Sequence, residues 1–265
     1  MCKRKIIALS VVLMFLIFIL FFVGFVSRHY VLPIMMYHSV NPKINNSLKA
    51  LIVNPRTFES QMRFLKEGSY SILPLESLAG LIRDNKKLPP KAVAVTFDDG
   101  YKDFYKYAFP VLKKYKIPAT MFIIVDEVGR PDRLSWDEIK EMQLSGLITF
   151  GSHAMGAEPL INISSENELN RQIFYSKKVL ESKLARPVNT FSYPEGFLNK
   201  HIRELVIQAG YKLAVSTKTG YCYPANDIFA LKRMRISESA GNSLHLWLKV
   251  SGYHTFFKDN KKRCR

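Results

Sequence analysis

Val93-Ala94-Val95-Thr96-Phe97-Asp98-Asp99-Gly100 decides how this 265-residue chain reads. A short apolar run ends abruptly in two carboxylates and a glycine. An apolar run bounded by turn residues is consistent with a strand buried on both faces, the kind a parallel sheet contains. Taken alone, Asp-Asp-Gly also fits a plain turn or helix cap. The flanking sequence chooses between these readings.

The same pattern recurs outward in both directions. Ile34 to Tyr37, Ala119 to Ile124, Ile148 to Ser152, Thr190 to Tyr193, Leu213 to Val215 and Leu231 to Ile236 read as further strands. Between them lie helical stretches: Thr57 to Lys66, with Phe58, Met62 and Leu65 on one face and Gly68 as its stop, then Phe104 to Tyr115 and Asn199 to Ala209. Ser135 with Glu138, and Ser165 with Glu168, have capping-box spacing and open two more helices. There is no internal repeat and no low-complexity stretch. Such βα alternation implies an α/β fold with a parallel sheet or barrel. In a barrel of this kind the chemistry collects where the strands end.

The residues after the strands therefore carry the functional reading. They are His38, the pair Asp98 and Asp99, His153 after Ser152, and the run Tyr193-Pro194-Glu195-Gly196; Arg233 and Arg235 lie on the last strand. A carboxylate and an imidazole together hold a divalent ion, which polarises a carbonyl and acidifies water. A second carboxylate serves as base and a further histidine as acid. The bland counterpart is that a lone histidine is more often structural than a ligand.

Lys and Arg exceed Asp and Glu by 17 charges, which favours acidic partners such as nucleic acid, anionic lipid or acidic glycan. Neither a zinc-finger spacing nor an RNA-binding aromatic signature accompanies the charge, so nucleic acid is not expected. Of three cysteines, Cys2 lies in the N-terminal basic segment; Cys222 and Cys264 pair only if the domain is exported and the fold brings them together.

Ile6 to Val26 carries no charge and is almost wholly apolar, long enough for one transmembrane helix. A cleavable signal peptide is the rival reading, but its apolar core is usually about 7–15 residues and ends at a small-x-small site. Lys3, Arg4 and Lys5 precede the run, so the N-terminus is expected in the cytoplasm and the rest outside. The expected organisation is a basic stub and signal-anchor over 1–29, one domain over 30–257 and a basic tail over 258–265. The expected location is a bacterial-type cytoplasmic membrane, single-pass, with the domain on the extracytoplasmic side.

Several runs together resemble the polysaccharide deacetylase (NodB-homology, carbohydrate esterase family 4) domain. They are Thr96 to Tyr101, Ala108 to Leu112, Ile117 to Phe122, Ser135 to Glu138, Gly146 to His153 and Phe191 to Gly196. Met35-Met36-Tyr37-His38-Ser39-Val40 resembles the opening of the circularly permuted branch that deacetylates poly-N-acetylglucosamine. The resemblance implies a distorted (β/α) barrel, an N-acetylated glycan as substrate and hydrolysis to acetate and free amine. It implies Asp98 as general base, His38 as general acid, and Asp99 and His153 as ligands of a divalent metal such as zinc. The family's second metal-ligand histidine corresponds here to Ala157; Glu158 beside it is a candidate oxygen ligand in its place, Glu195 is a second candidate, and without either the metal is weakly held or absent. The family's arginine near the base corresponds to Ser192, and Arg233 is the candidate replacement. These departures leave a second expectation open, a glycan-binding or scaffold relative with impaired turnover.

Overall fold

The structure is a computed structural model that describes residues 13–21, 32–44, 49–84, 86–217 and 227–252. Eleven strands occur among them: β1 (Ile34–Tyr37), β2 (Ser39–Val40), β3 (Ile52–Val53), β4 (Ser71–Ile72), β5 (Ala92–Phe97), β6 (Ala119–Ile123), β7 (Ile148–Ser152), β8 (Thr190–Ser192), β9 (Leu213–Ser216), β10 (Leu231–Lys232) and β11 (Met234–Arg235). The main sheet runs β10-β9-β8-β7-β6-β5-β1-β11, with β4 beside β5, and every pairing is parallel. β2 and β3 form a separate parallel pair.

β10 and β11 occupy opposite ends of that order, yet only Arg233 separates them in sequence. Leu231 is in register with Val215 on β9, and Met234 with Met35 on β1. Residues 231–235 thus form one seam that joins both edges and curls the sheet into a nearly closed barrel. The sequence predicts a single strand over Leu231 to Ile236; its pairing changes partner at Arg233. Closure removes the unpaired edges that an open sheet exposes.

Strand alternation sorts the side chains into two layers. One face of the sheet sends Met35, Tyr37, Val95, Phe97, Met121, Phe150 and Phe191 into a core shared with the surrounding helices. The other face sends Ile34, Ala94, Phe122, Leu213, Val215 and Leu231 to the barrel interior, where Leu75, Leu78 and Ala79 join them. Asn189, just before β8, donates a hydrogen bond to Glu76, so this plug sits where the strands begin.

At the other end, aromatic packing fixes the ends of β1 and β5. The Phe97 ring stacks on Tyr37 at 5.1 Å and meets Phe104 edge-on at 4.6 Å, and Phe58 closes on Tyr37 at 5.3 Å. Each fully buried aromatic of this kind contributes about 1.5–3 kcal/mol.

The predicted helices occur, with two differences. The stretch from Phe104 to Tyr115 is interrupted: a wide π-type turn, Phe104–Ala108, precedes an α-helix, Phe109–Tyr115. Pro110 requires this, because its missing N–H is harmless only near a helix start. Ser135 and Glu138 form the full reciprocal cap. Ser165 accepts from the Glu168 amide, but the Glu168 carboxylate turns to Gln172 and Arg171 instead.

The expected membrane span over Ile6 to Val26 lies largely outside the described residues, as do all three cysteines and the tail 258–265. Residues 13–21 are helical with exposed apolar side chains. Among the described residues, no helix is long and apolar enough to cross a membrane.

Candidate active site

β5 alternates, so Thr96 and Asp98 share the interior face. Asp98 is buried, and its amide continues the ladder by donating to the Tyr37 carbonyl at 3.0 Å. Strand parity would turn Asp99 to the opposite face. Instead Asp99 adopts φ +70°, a left-handed conformation that Asp tolerates better than most residues. The chain breaks out of the strand there, and the Asp99 carboxylate comes to lie 3.5 Å from His153 Nε2. The same device recurs after β7, at Ala154 (φ +64°), and after β8, at Glu195 (φ +53°).

His153 follows β7 on the interior parity of Gly151 and is buried. Its Nδ1 is 2.7 Å from the Ser192 carbonyl. A carbonyl only accepts, so Nδ1 carries the proton and Nε2 faces the carboxylates, 3.5 Å from Asp99 and 4.0 Å from Asp98. Gly151 is required two residues earlier: a Cβ there would lie 2.4 Å from Thr190 Oγ1 and 2.6 Å from the Phe122 ring.

Arg233 completes the interior. From the seam it donates Nη1 to Asp98 Oδ1 at 2.7 Å and Nη2 to Asp98 Oδ2 at 2.5 Å. Nη2 also reaches Ser192 Oγ at 2.9 Å, Nη1 reaches Thr96 Oγ1 at 3.2 Å, and the guanidinium lies over the Phe122 ring. A two-pronged fork of this kind holds a carboxylate in one orientation. Arg233 therefore stands beside Asp98, the expected base, and Ser192 supports it.

His38 is buried after β1, and its Nδ1 has no hydrogen-bond partner among the described residues. Behind it Asp103 clamps the next three residues. It accepts from Ser39 Oγ at 2.5 Å, the Val40 amide at 3.3 Å and Asn41 Nδ2 at 3.2 Å. Sequence reading missed Asp103; its place one helical turn beyond Asp99 was the only available signal. The Ser39, Asn41 and Asp103 side chains also line a cleft of about 730 Å³ with Tyr101, Tyr105 and Tyr107.

The charges balance around this mouth. Burial alone raises the Asp98 carboxyl, but Arg233, then His153 and His38, outweigh it and hold the group below its usual value. Burial likewise raises Asp99, and the hydrogen bond and charge of His153 bring it below. Burial lowers His153, but Asp98 and Asp99 more than reverse this and push it up. For His38, burial dominates over the attraction of the same two carboxylates and the imidazole is lowered.

This arrangement fits a divalent cation in charge but not in donor number. Asp99 and His153 Nε2 face one another as two donors, with the His153 tautomer fixed from behind as metal sites require. A protein zinc site usually supplies at least three. Glu158 does not provide the third. Gln172 Oε1 holds the Met155 and Gly156 amides at 3.0 and 2.9 Å, the chain turns away after Ala154, and Ala157 and Glu158 are exposed. Glu195 is exposed as well. Among the described residues, no group of three His, Cys, Asp or Glu side chains is placed to hold a metal.

Known proteins resemble this chain in sequence and fold. The family model described as "Polysaccharide deacetylase" matches residues 85–214. YxkH of Bacillus subtilis (strain 168) is 32% identical over 212 residues, 80% of this chain and 74% of that protein. The poly-beta-1,6-N-acetyl-D-glucosamine N-deacetylase of Staphylococcus aureus (strain MSSA476) is 30% identical over 225 residues, 79% of this chain and 76% of that one. Among solved structures, the Streptococcus pyogenes deacetylase PplD in complex with acetate superposes with a TM-score of 0.72 at 31% identity, covering 78% of this chain and 93% of that one. IcaB from Ammonifex degensii superposes at 0.70 with 26% identity, covering 83% and 97%. Barrel, strand-end residues and relatives agree: the chain is an enzyme of the polysaccharide deacetylase family.

Proposed function

We propose that this enzyme removes N-acetyl groups from an exported or cell-surface polysaccharide built on N-acetylglucosamine, releasing acetate and a free amine. The observation that carries the reading is the convergence on one barrel mouth of a carboxylate locked by Arg233, a second carboxylate, and two histidines of opposite tendency. An amide is a poor electrophile and an amine a poor leaving group, so the reaction needs an activated water and an acid. Asp98, held ionised, takes the proton from the attacking water at a carboxylate oxygen. Arg233 fixes the direction of that oxygen, at the cost of lower basicity. His38 delivers a proton to the departing nitrogen; its imidazolium form gains stability as negative charge develops beside it.

We further propose that the enzyme is metal-dependent and that Asp99 and His153 hold a divalent ion such as zinc. The ion would polarise the acetyl carbonyl. Among the described residues only two protein donors are in place for it, and the proton transfers fall to Asp98 and His38. That shortfall is also what favours the alternative reading, a glycan-binding relative of low turnover.

The proposed location is a cytoplasmic membrane, single-pass, with the barrel on the extracytoplasmic side. The uncharged run Ile6 to Val26 behind Lys3, Arg4 and Lys5 supports it. Protease protection of the barrel in intact cells, and its loss in broken ones, would refute it.

The activity is tested by acetate release from chitooligosaccharides, poly-N-acetylglucosamine and peptidoglycan fragments, with zinc, cobalt or nickel added. No release from any substrate, combined with glycan retention, would favour the binding role instead.

A further inference from the structure

The helix Ser243–Val250 follows the seam and buries Leu246 and Val250 in the core. Its other side is apolar too. Leu244, Trp247 and Leu248 are 60%, 50% and 45% exposed. The spacing i, i+3, i+4 puts all three on one face. A surface helix normally gives that face to polar residues, and a cluster of large apolar side chains in water marks a contact surface.

Size and charge select the occupant. The helix has eight residues and is about 12 Å long. A stable protein interface buries about 800 Å² on each partner; three side chains flanked by exposed Asn242, Ser243 and His245 do not approach that. The residues that follow the helix in sequence carry Lys258, Lys261, Lys262, Arg263 and Arg265 against one acid, Asp259. Tryptophan and leucine on one face, with a run of cations next in sequence, is the composition of a helix lying in the headgroup layer of an anionic bilayer. Tryptophan favours that layer because its ring is apolar and its N–H polar.

We infer that the Leu244, Trp247 and Leu248 face seats in the interfacial layer of an anionic membrane and gives the barrel a second lipid contact beside the apolar N-terminal segment. The inference rests on the reading that the chain is held at a membrane, and the test separates the two. The full chain is mixed with vesicles of phosphatidylcholine brominated near the headgroup, with or without phosphatidylglycerol. Flotation with the vesicles reports the N-terminal segment. Quenching by bromine reports tryptophan burial, and Trp136 is the only other tryptophan, so Trp247→Phe supplies the background.

The expected result is about a twofold or greater loss of Trp247 emission on anionic vesicles, little on neutral ones, and none in the folded double variant Leu244→Asn/Leu248→Asn. Flotation on both vesicles without quenching overturns the inference and leaves the anchor standing. Flotation and quenching on anionic vesicles alone supports the inference and removes the anchor. Equal quenching on neutral vesicles overturns it. So does a concentration-dependent change in Trp247 emission without lipid, which would assign the face to a second copy of the chain.

Discussion

Replacing Arg233 with Met keeps the length and apolar bulk of the side chain and removes its charge. In the native barrel the Arg233 and Asp98 side chains are 0% and 1% exposed, so solvent does not screen the pair. Removing one partner of a buried ion pair costs about 3–5 kcal/mol, because the other charge is left stranded. For a domain of this size each kcal/mol moves the unfolding midpoint by about 2–4 °C, which gives a fall of about 6–20 °C. Arg233→Lys should lie between, since one ammonium keeps the charge but cannot make the fork. Adding Asp98→Asn to Arg233→Met removes the stranded charge and should recover much of the loss, as coupled neighbours do. The assay is thermal unfolding of the full chain in mild detergent, followed by intrinsic fluorescence. A loss below about 1 kcal/mol would put the pair in the class of exposed ion pairs. That result, or a double variant no more stable than Arg233→Met, would refute the account of Arg233 as the charge that holds Asp98.

His38→Gln should lower acetate release by about 10²–10⁴-fold with the fold intact, because His38 Nδ1 has no partner to lose; an undiminished rate would remove His38 from proton transfer. Gly151→Ala should cost about 1–3 kcal/mol from overpacking against Thr190 and Phe122, read as a lower unfolding midpoint, and wild-type stability would show that the interior gives way freely. Burial raises the Asp103 carboxyl despite its bonds from Ser39, Asn41 and Val40. Between the ordinary carboxylate value and the raised one the folded chain binds more protons than the unfolded chain, so stability from Asp103 falls as pH rises through that window. Asp103→Asn should lose this slope in denaturant titrations at mildly acidic pH, and an unchanged slope would assign it to other groups. A chelator should abolish acetate release and zinc should restore it; full activity in protein verified metal-free would end the proposal of metal dependence.

The sequence made the strands legible because parallel strands are buried on both faces and therefore read as apolar runs. It made His38, Asp98 and His153 legible because each follows such a run. Asp99 was found through its motif, since alternation alone would have sent it to the helix layer; only its left-handed turn returns it. Glu158 is exposed rather than turned to Asp99 and His153, because adjacency in sequence says nothing of direction. Ala154 turns the chain and Gln172, from a helix further on, fixes where it goes. Arg233 could be ranked only by its strand, since its partner is 135 residues away. The division of 231–236 between two partner strands is a property of closure, which no local pattern carries. Asp103 was missed because a carboxylate at the start of a helical stretch looks like any surface acid.

The seam has a consequence for the order of events on the ribosome. A chain made from its N-terminus presents His38, Asp98, Asp99 and His153 well before residue 233 exists. Domains of this size condense as units, and until the seam arrives Asp98 lacks the guanidinium that grips both of its carboxylate oxygens. The barrel mouth is therefore completed by residues 231–235, long after its other members are made. A nascent molecule that stops short of residue 233 lacks the two-pronged fork that holds the Asp98 carboxylate in one orientation.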